Sequence, residues 1–378
     1  MGSKNFMLRN GLGVLIKQRA KKAERIVDLF SGAGHIAWFA AENIERTVFA
    51  VDIQNYSKVL AEAILLRTEK NDAEKLTKEW IDQVKFDIQQ SSYYRLAREL
   101  ENGKITRKKV EEARKLCATH KKVGLVWRNY GGHYFSPTQA LAIDILYKHL
   151  PHRNPSRSLC LAALLTAASK CVAAPGHTAQ PFQPTKGAKK FLEEAWKRNP
   201  IAITEEVLKE ISGRHAKIIG KAVVADAMNI ASRLKKDDLV VIDPPYSGVQ
   251  YSRFYHVLET IATGKCGPVS GVGRYPSIKK RPQSPFSNKG QSKEALEKLL
   301  HRIALRGSKV IFTFPAGEAS NGLSGSLVEK TASQWFNVSK KVINNRFSTL
   351  GGNNNNRLAR QRSKELILSL TPKDNVIE

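Results

Sequence analysis

Apolar residues along this chain gather in short unbroken runs toward both ends and fall at helical spacing between them. Arg25-Ile26-Val27-Asp28-Leu29-Phe30 and Thr47-Val48-Phe49-Ala50-Val51-Asp52-Ile53 have strand length, and His35 to Asn43 between them carries Ile36, Phe39 and Ala40 on one helical face. Runs of this kind predict strands buried on both faces of a sheet. Strand, glycine turn, helix, strand and acid make one dinucleotide-type βαβ unit, which predicts a parallel sheet. Strand signals resume at Lys221 to Asp226 and Leu239 to Asp243, then at Val310 to Phe314, Phe336 to Ile343 and Glu365 to Leu370. The expected fold class is α/β, a doubly wound sheet closing in an antiparallel C-terminal hairpin.

The pattern breaks between about Ala61 and Arg214. Leu66 to His120 is charged and helical, with Lys and Arg predominating from Lys104 to Lys122. An aromatic and glycine cluster follows at Trp127, Tyr130, Gly131, Gly132, Tyr134 and Phe135, then helices near Pro137 to His149 and Leu159 to Val172. The expected organisation is a sheet domain from 1–60 and 215–378, with 61–214 as a mostly helical insertion. Arg346 to Arg362, rich in Gly, Asn and Arg, predicts a basic hairpin tip.

The chain has 378 residues and 42% hydrophobic content, enough for a sizeable core. Its charge is one-sided: Lys and Arg total 62 against 34 Asp and Glu, a formal +28. Such an excess points to a polyanionic partner, and nucleic acid is the expected one. Cys117, Cys160, Cys171 and Cys266 show no C-x-x-C spacing, so reduced thiols are expected and no metal site. No apolar h-region or spanning window is present, which predicts an intracellular protein with no membrane partner.

Gly32-Ala33-Gly34 follows the first strand. Glycine lets a backbone approach a ligand closely. A Walker loop is excluded because no Gly-Lys-Ser/Thr follows, whereas a nicotinamide fingerprint survives with Ala37 in its third position. Asp52 stands where an acid can accept from ribose hydroxyls, although a turn or cap acid is an equal reading. Asp226 carries the same ambiguity, its functional reading being an acceptor for an adenine amino group.

Asp243-Pro244-Pro245-Tyr246 decides among these readings. It ends the apolar run Leu239 to Ile242, at the strand tip where open α/β sheets place ligands. A carboxylate and a proline-fixed carbonyl can accept both hydrogens of a planar exocyclic amine and favour the pyramidal nitrogen of a transfer transition state. Tyr246 can stack on the face of an extruded base. Hydride transfer has no use for an amine clamp, so a nicotinamide oxidoreductase is disfavoured.

With these motifs in this order, the chain resembles the S-adenosylmethionine-dependent DNA adenine-N6 methyltransferases of the Dam-like, alpha-group class. Gly2-Ser3-Lys4 resembles the family's cofactor-contacting GSK segment, and Asp28 to Gly34 its FxGxG motif, with Phe30, Gly32 and Gly34 in place. Gln250 to Thr260 is also similar. Phe312-Thr313-Phe314-Pro315 departs from a segment that is more polar in many relatives.

The resemblance implies a Rossmann-like methyltransferase sheet and S-adenosyl-L-methionine as cofactor. It implies catalytic roles for Asp243, Pro244, Pro245 and Tyr246. Cofactor contacts are implied for Gly2, Ser3, Lys4, Asp28, Phe30, Ser31, Gly32, Gly34, Asp52, Ile53, Asp226 and Ala227. Tyr251, Arg253, Arg346, Arg357, Arg360 and Arg362 are the expected nucleic-acid contacts. The expected partner is double-stranded DNA, the expected state a monomer or weak dimer, and the expected setting the bacterial or phage-infected cytoplasm beside the nucleoid. An N4-cytosine methyltransferase, an RNA adenine methyltransferase and a catalytically inactive DNA-binding protein remain open alternatives.

Overall fold

The computed structural model describes residues 4–347 and 361–376, so Gly2, Ser3, Arg357 and Arg360 lie outside the described residues. The chain forms two compact units, one made of 2–69, 215–251 and 282–378, the other of 70–214 and 252–281.

The first unit is built on a seven-stranded sheet. Its strands are β1 (Arg25–Asp28), β2 (Thr47–Asp52), β3 (Lys221–Val224), β4 (Asp238–Ile242), β5 (Lys309–Pro315), β6 (Phe336–Phe347) and β7 (Gln361–Pro372). The order across the sheet is β3-β2-β1-β4-β5-β7-β6. β3 to β5 run parallel, and β7 enters antiparallel to both β5 and β6.

Strand side chains alternate between two apolar faces because successive Cβ atoms point to opposite sides. Val27, Val240, Ile242, Val310, Phe312, Phe314, Leu366, Leu368 and Leu370 face one core with helix Ser292–Leu305. Ile26, Leu239, Val241, Ile311 and Ile367 face the other, with helices Gly13–Ala20, His35–Asn43 and Asn55–Leu65. Every residue of β4 is buried, which is why its sequence reads as an apolar run without alternation.

The second unit is helical. Its longest helix, Ser156–Cys171, is buried along most of its length, from Ser158 to Cys171. Helix Pro137–Lys148 starts on a capping box in which Ser136 and Gln139 satisfy each other's backbone, with Pro137 in the first turn. Segment 252–281, which the sequence boundaries leave with the sheet, groups with the helices instead. There His256, on helix His256–Thr263, stands edge-on to Tyr130 and Tyr134, and Tyr130 Oη bonds Thr260 Oγ1 at 2.9 Å. The same segment carries a short antiparallel ribbon, Val269–Ser270 with Tyr275–Pro276, that no alternation in the sequence announced. No helix among the described residues is long and apolar enough to cross a membrane. Nor do three or more His, Cys, Asp or Glu side chains there gather to hold a metal ion.

Candidate active site

β1 and β4 are neighbours, and Asp28 pairs in register with Val241. The glycine turn after β1 and the Asp-Pro-Pro-Tyr loop after β4 therefore leave the same edge of the sheet side by side. Gly32 and Gly34 both have positive φ, at 50° and 79°. A Cβ on Gly34 would press Trp38 Nε1 at 3.1 Å, so the turn tolerates no side chain there. A Cβ on Gly32 would meet nothing nearer than the Phe30 carbonyl at 3.9 Å, so space is open above it.

Asp52 ends β2 and spans this turn. Its Oδ2 accepts from Gly32 N at 2.8 Å and its Oδ1 from Gln54 N at 3.0 Å. Asp226 follows β3, whose Val224 pairs with Asp52, and its Oδ1 accepts from Met228 N at 2.7 Å to cap helix Ala227–Ala231. Both acids thus serve as turn or cap acceptors. Phe30 sets its ring edge-on to Phe286, centroids 5.2 Å apart.

Around the turn several buried polar atoms lack a partner. Among the described residues Ser31 Oγ and Gln54 Oε1 find no hydrogen bond, and the Asp28 carboxylate makes none of strict geometry, having only the Phe30 and Ala37 amides near it. Unsatisfied groups are rare in folded proteins and mark places where something else is accommodated. Burial pushes the Asp28 carboxyl up to about 8, and the Asp243 charge adds to that rise. The Phe30 and Ala37 amides oppose it, and Asp52 contributes to it.

A carboxyl with a raised folded-state pKa supports folding while protonated, and that support fades as pH rises from the ordinary 3.8 through about 8. The melting temperature of the wild type should fall across this window more steeply than that of Asp28→Asn. Asp144, raised to about 6 by burial in the helical unit, contributes equally to both proteins. Their difference isolates Asp28, and parallel pH profiles would contradict the assignment.

Asp243 is fixed by two groups. Lys4 Nζ lies 2.9 Å from its Oδ1, and Thr313 Oγ1 on β5 donates to the same oxygen at 2.7 Å. Lys4 also faces Glu365 of β7 at 3.7 Å. Burial works against the Lys4 ammonium, but Asp243 and Glu365 outweigh it and hold the group above the ordinary lysine range. Glu365 is raised by its burial, with Lys4 opposing and Asp243 adding to the rise. Because both contacts fall on Oδ1, Oδ2 is the oxygen left for an incoming donor.

The loop after Asp243 is held equally firmly. Asn321, fully buried, donates from Nδ2 to the Pro245 and Phe286 carbonyls, each at 3.0 Å. Gln250 and Ser284 exchange two hydrogen bonds, at 2.7 and 2.8 Å. Tyr246 is half-buried against the core that includes Val240 and Phe312.

No local pattern in the sequence gives Thr313, Glu365, Asn321 or Gln54 a role in the site. For Glu365 the one available signal is an acid directly ahead of the apolar run Leu366 to Leu368. Of the expected nucleic-acid contacts, Tyr251 opens helix Tyr251–Phe254 and is itself grouped with the sheet unit. Arg253 lies in the helical unit with its guanidinium 4.8 Å from the Tyr275 ring centre. Arg346 and Arg362 face each other across the β6–β7 register.

A parallel sheet closed by an antiparallel hairpin, with a glycine turn and an Asp-Pro-Pro-Tyr loop on adjacent strand ends, defines a Rossmann-like methyltransferase. The chain belongs to the D12 class N6 adenine-specific DNA methyltransferases, whose family model matches residues 1–300. It is similar to the modification methylase LlaI of Lactococcus lactis subsp. lactis, 26% identical over 319 residues and 80% of this chain. The chain spans 44% of that relative's length.

Proposed function

We propose that this chain transfers the methyl group of S-adenosyl-L-methionine to N6 of an adenine swung out of duplex DNA. The observation that carries this reading is the posture of Asp243, whose Oδ1 is occupied by Lys4 and Thr313 beside the glycine turn. A carboxylate immobilised in this way offers Oδ2 in one direction only.

The residues around the turn suit the cofactor. Asp28, Ser31 and Gln54 supply buried polar atoms in want of partners, which a ligand bearing an ammonium and hydroxyls would provide. Asp52 is the acceptor for ribose hydroxyls, and Asp226 the acceptor for the adenine amino group of the cofactor. Phe30, Gly32, Gly34, Ile53 and Ala227 shape the walls. When bound, S-adenosyl-L-methionine supplies a methyl group made electrophilic by its sulfonium.

The chain's own groups then act on the target amine. Asp243 Oδ2 and the Pro244 carbonyl accept its two hydrogens, since the Pro245 carbonyl is already taken by Asn321. The two bonds draw the nitrogen toward a pyramidal geometry and free its lone pair from the ring. Tyr246 covers the base face, replacing part of the stacking lost on extrusion. The product nitrogen is acidic while it carries the extra proton, so loss to water suffices and Asp243 acts as an acceptor rather than a strong base. Tyr251, Arg253, Arg346, Arg357, Arg360 and Arg362 are assigned to the DNA. Arginine contacts of this kind hold phosphates and add affinity without reading sequence.

Incubation with duplex DNA and methyl-labelled S-adenosylmethionine, followed by digestion to nucleosides, tests the reading. Label in N6-methyladenine is expected. Label in N4-methylcytosine would reassign the base, label accepted by matched RNA alone would reassign the polymer, and no label in either would reject a methyl transferase role for this chain.

A further inference from the structure

Tyr130-Gly131-Gly132-His133-Tyr134-Phe135 stands out in the sequence, yet the proposed methyl transfer uses none of it. In the helical unit this segment closes helix Leu125–Tyr130 onto helix Arg107–Thr119. Gly132 has φ of 72°, and a Cβ there would lie 2.7 Å from the Arg114 backbone nitrogen. A Cβ on Gly131 would lie 2.5 Å from Cys117 Sγ. Two glycines therefore let the turn press onto the neighbouring helix, and the contact they permit positions Arg114. Its Nε donates to the Gly132 carbonyl at 3.0 Å and its Nη2 to Gln183 Oε1 at 3.0 Å.

Arg274 approaches from the short ribbon with φ of 50°, a backbone conformation costly for a residue with a side chain. Its Nε donates to the Asn129 carbonyl at 2.8 Å. Between the two guanidiniums lies a cavity of about 310 Å³, also lined by Lys115, Arg128 and His133. Among the described residues four cations line it and no carboxylate does.

The hydrogen-bond partners of both guanidiniums are neutral oxygens. Glu111, the acid that acts on Arg114, is itself engaged by Arg107 at 2.9 Å. Burial lowers both guanidiniums, and for Arg114 the Arg274 charge lowers it further. Burial, then Arg114 and Arg274, hold His133 down at about 3, so its imidazole is neutral. Half-buried charges of one sign converging without a counterion are expensive unless an anion completes the set. The volume is at the small end of the range for ligand pockets, roughly 300–1,000 Å³.

We propose that this cavity is a binding site for a phosphoryl oxyanion, gripped by Arg114 and Arg274 with Lys115 and Arg128 at its rim. The planar guanidinium fork suits phosphate geometry, and a neutral imidazole adds a donor. The phosphoryl group can come from the DNA backbone or from a free phosphate. The DNA source rests on the proposed function and is favoured by the surrounding charge: Lys104 to Lys122 holds eight Lys and Arg against two Glu.

The test uses the full chain and the double variant Lys115→Gln/Arg128→Gln, whose side chains are exposed. The His133 imidazole resonances are followed during titration with inorganic phosphate, against sodium chloride at equal ionic strength. A saturable shift specific to phosphate is expected in the wild type, weakened about ten-fold in the variant, since a charge-assisted bond contributes ~1.5–3 kcal/mol. In parallel, duplex binding is measured against salt, where each lost phosphate contact flattens the logarithmic slope by about 0.9. A flatter slope in the variant identifies backbone phosphate as the source. An unchanged slope with a lost phosphate response identifies a free oxyanion. No phosphate-specific shift in the wild type and no change of slope would overturn the site. Should the wild type bind no DNA, the proposed function fails while the phosphate titration still decides the cavity.

Discussion

Asp243→Ala should lower single-turnover methyl transfer by about 10³-fold, the scale of losing a preorganised group aimed at charge developing in a transition state. Cofactor binding persists in this variant, because Asp28, Asp52 and the glycine turn belong to other strands. The fold should lose less than it does when Lys4 itself is replaced. Lys4 keeps Glu365 at 3.7 Å, and the loop stays fastened through Asn321 and Gln250. Asp243→Asn is the sharper comparison. It preserves volume and the Oδ1 acceptor for Thr313, but can turn an amide donor toward the amine hydrogens where an acceptor is required. It should therefore be nearly as impaired as Ala. A further consequence reports on geometry: losing the Asp243 charge removes one cause of the raised Asp28 carboxyl, so Asp28 should titrate lower in either variant. Rapid-quench kinetics with a parallel cofactor titration separates the two effects. Near-normal turnover in Asp243→Ala would remove the amine clamp from the mechanism.

The sheet was legible because burial on both faces leaves a local record. Val240, Val241 and Ile242 form an apolar run because neighbours cover them above and below, and the acid after the run marks where the strand leaves the core. Asp52, Asp226 and Asp243 could be placed at strand ends from that record alone, whereas the strand carrying Asp28 reads as continuing to Phe30 and ends at Asp28. What the sequence hid is whatever depends on partners distant in the chain. Glu365 is 2% exposed in a strand whose neighbours are apolar, and its burial makes sense only with Lys4 opposite, some 360 residues earlier. Thr313 sits in the apolar segment Phe312 to Pro315, yet its hydroxyl is spent on Asp243. Asn321 lies in a loop with no periodicity, and only its placement under Pro245 gives it meaning. The grouping of 252–281 with the helices escaped notice for the same reason, since no local pattern records which surface a short segment packs against.

Lys4→Met should be among the most destabilising single substitutions in the sheet unit. Its ammonium stands between Asp243 and Glu365, and removing one partner of a buried ion pair typically costs about 3–5 kcal/mol. The sign of the pH dependence follows from Glu365, whose carboxyl is already raised by burial and is held back by Lys4. Without Lys4 it rises further, so its folded form is supported only while protonated. The loss of stability in Lys4→Met should therefore shrink toward acid pH and grow above the ordinary carboxylate range. Adding Glu365→Gln removes the stranded charge, and the double variant should recover much of the lost stability at neutral pH, a coupling that a double-mutant cycle reads directly. Activity should not recover with it. The double variant still lacks the group that turns Asp243 Oδ1 away from the amine, so methyl transfer stays low while the melting temperature returns. Recovery of both together would make Lys4 a purely structural residue; recovery of neither would mean that Glu365 is not what Lys4 compensates.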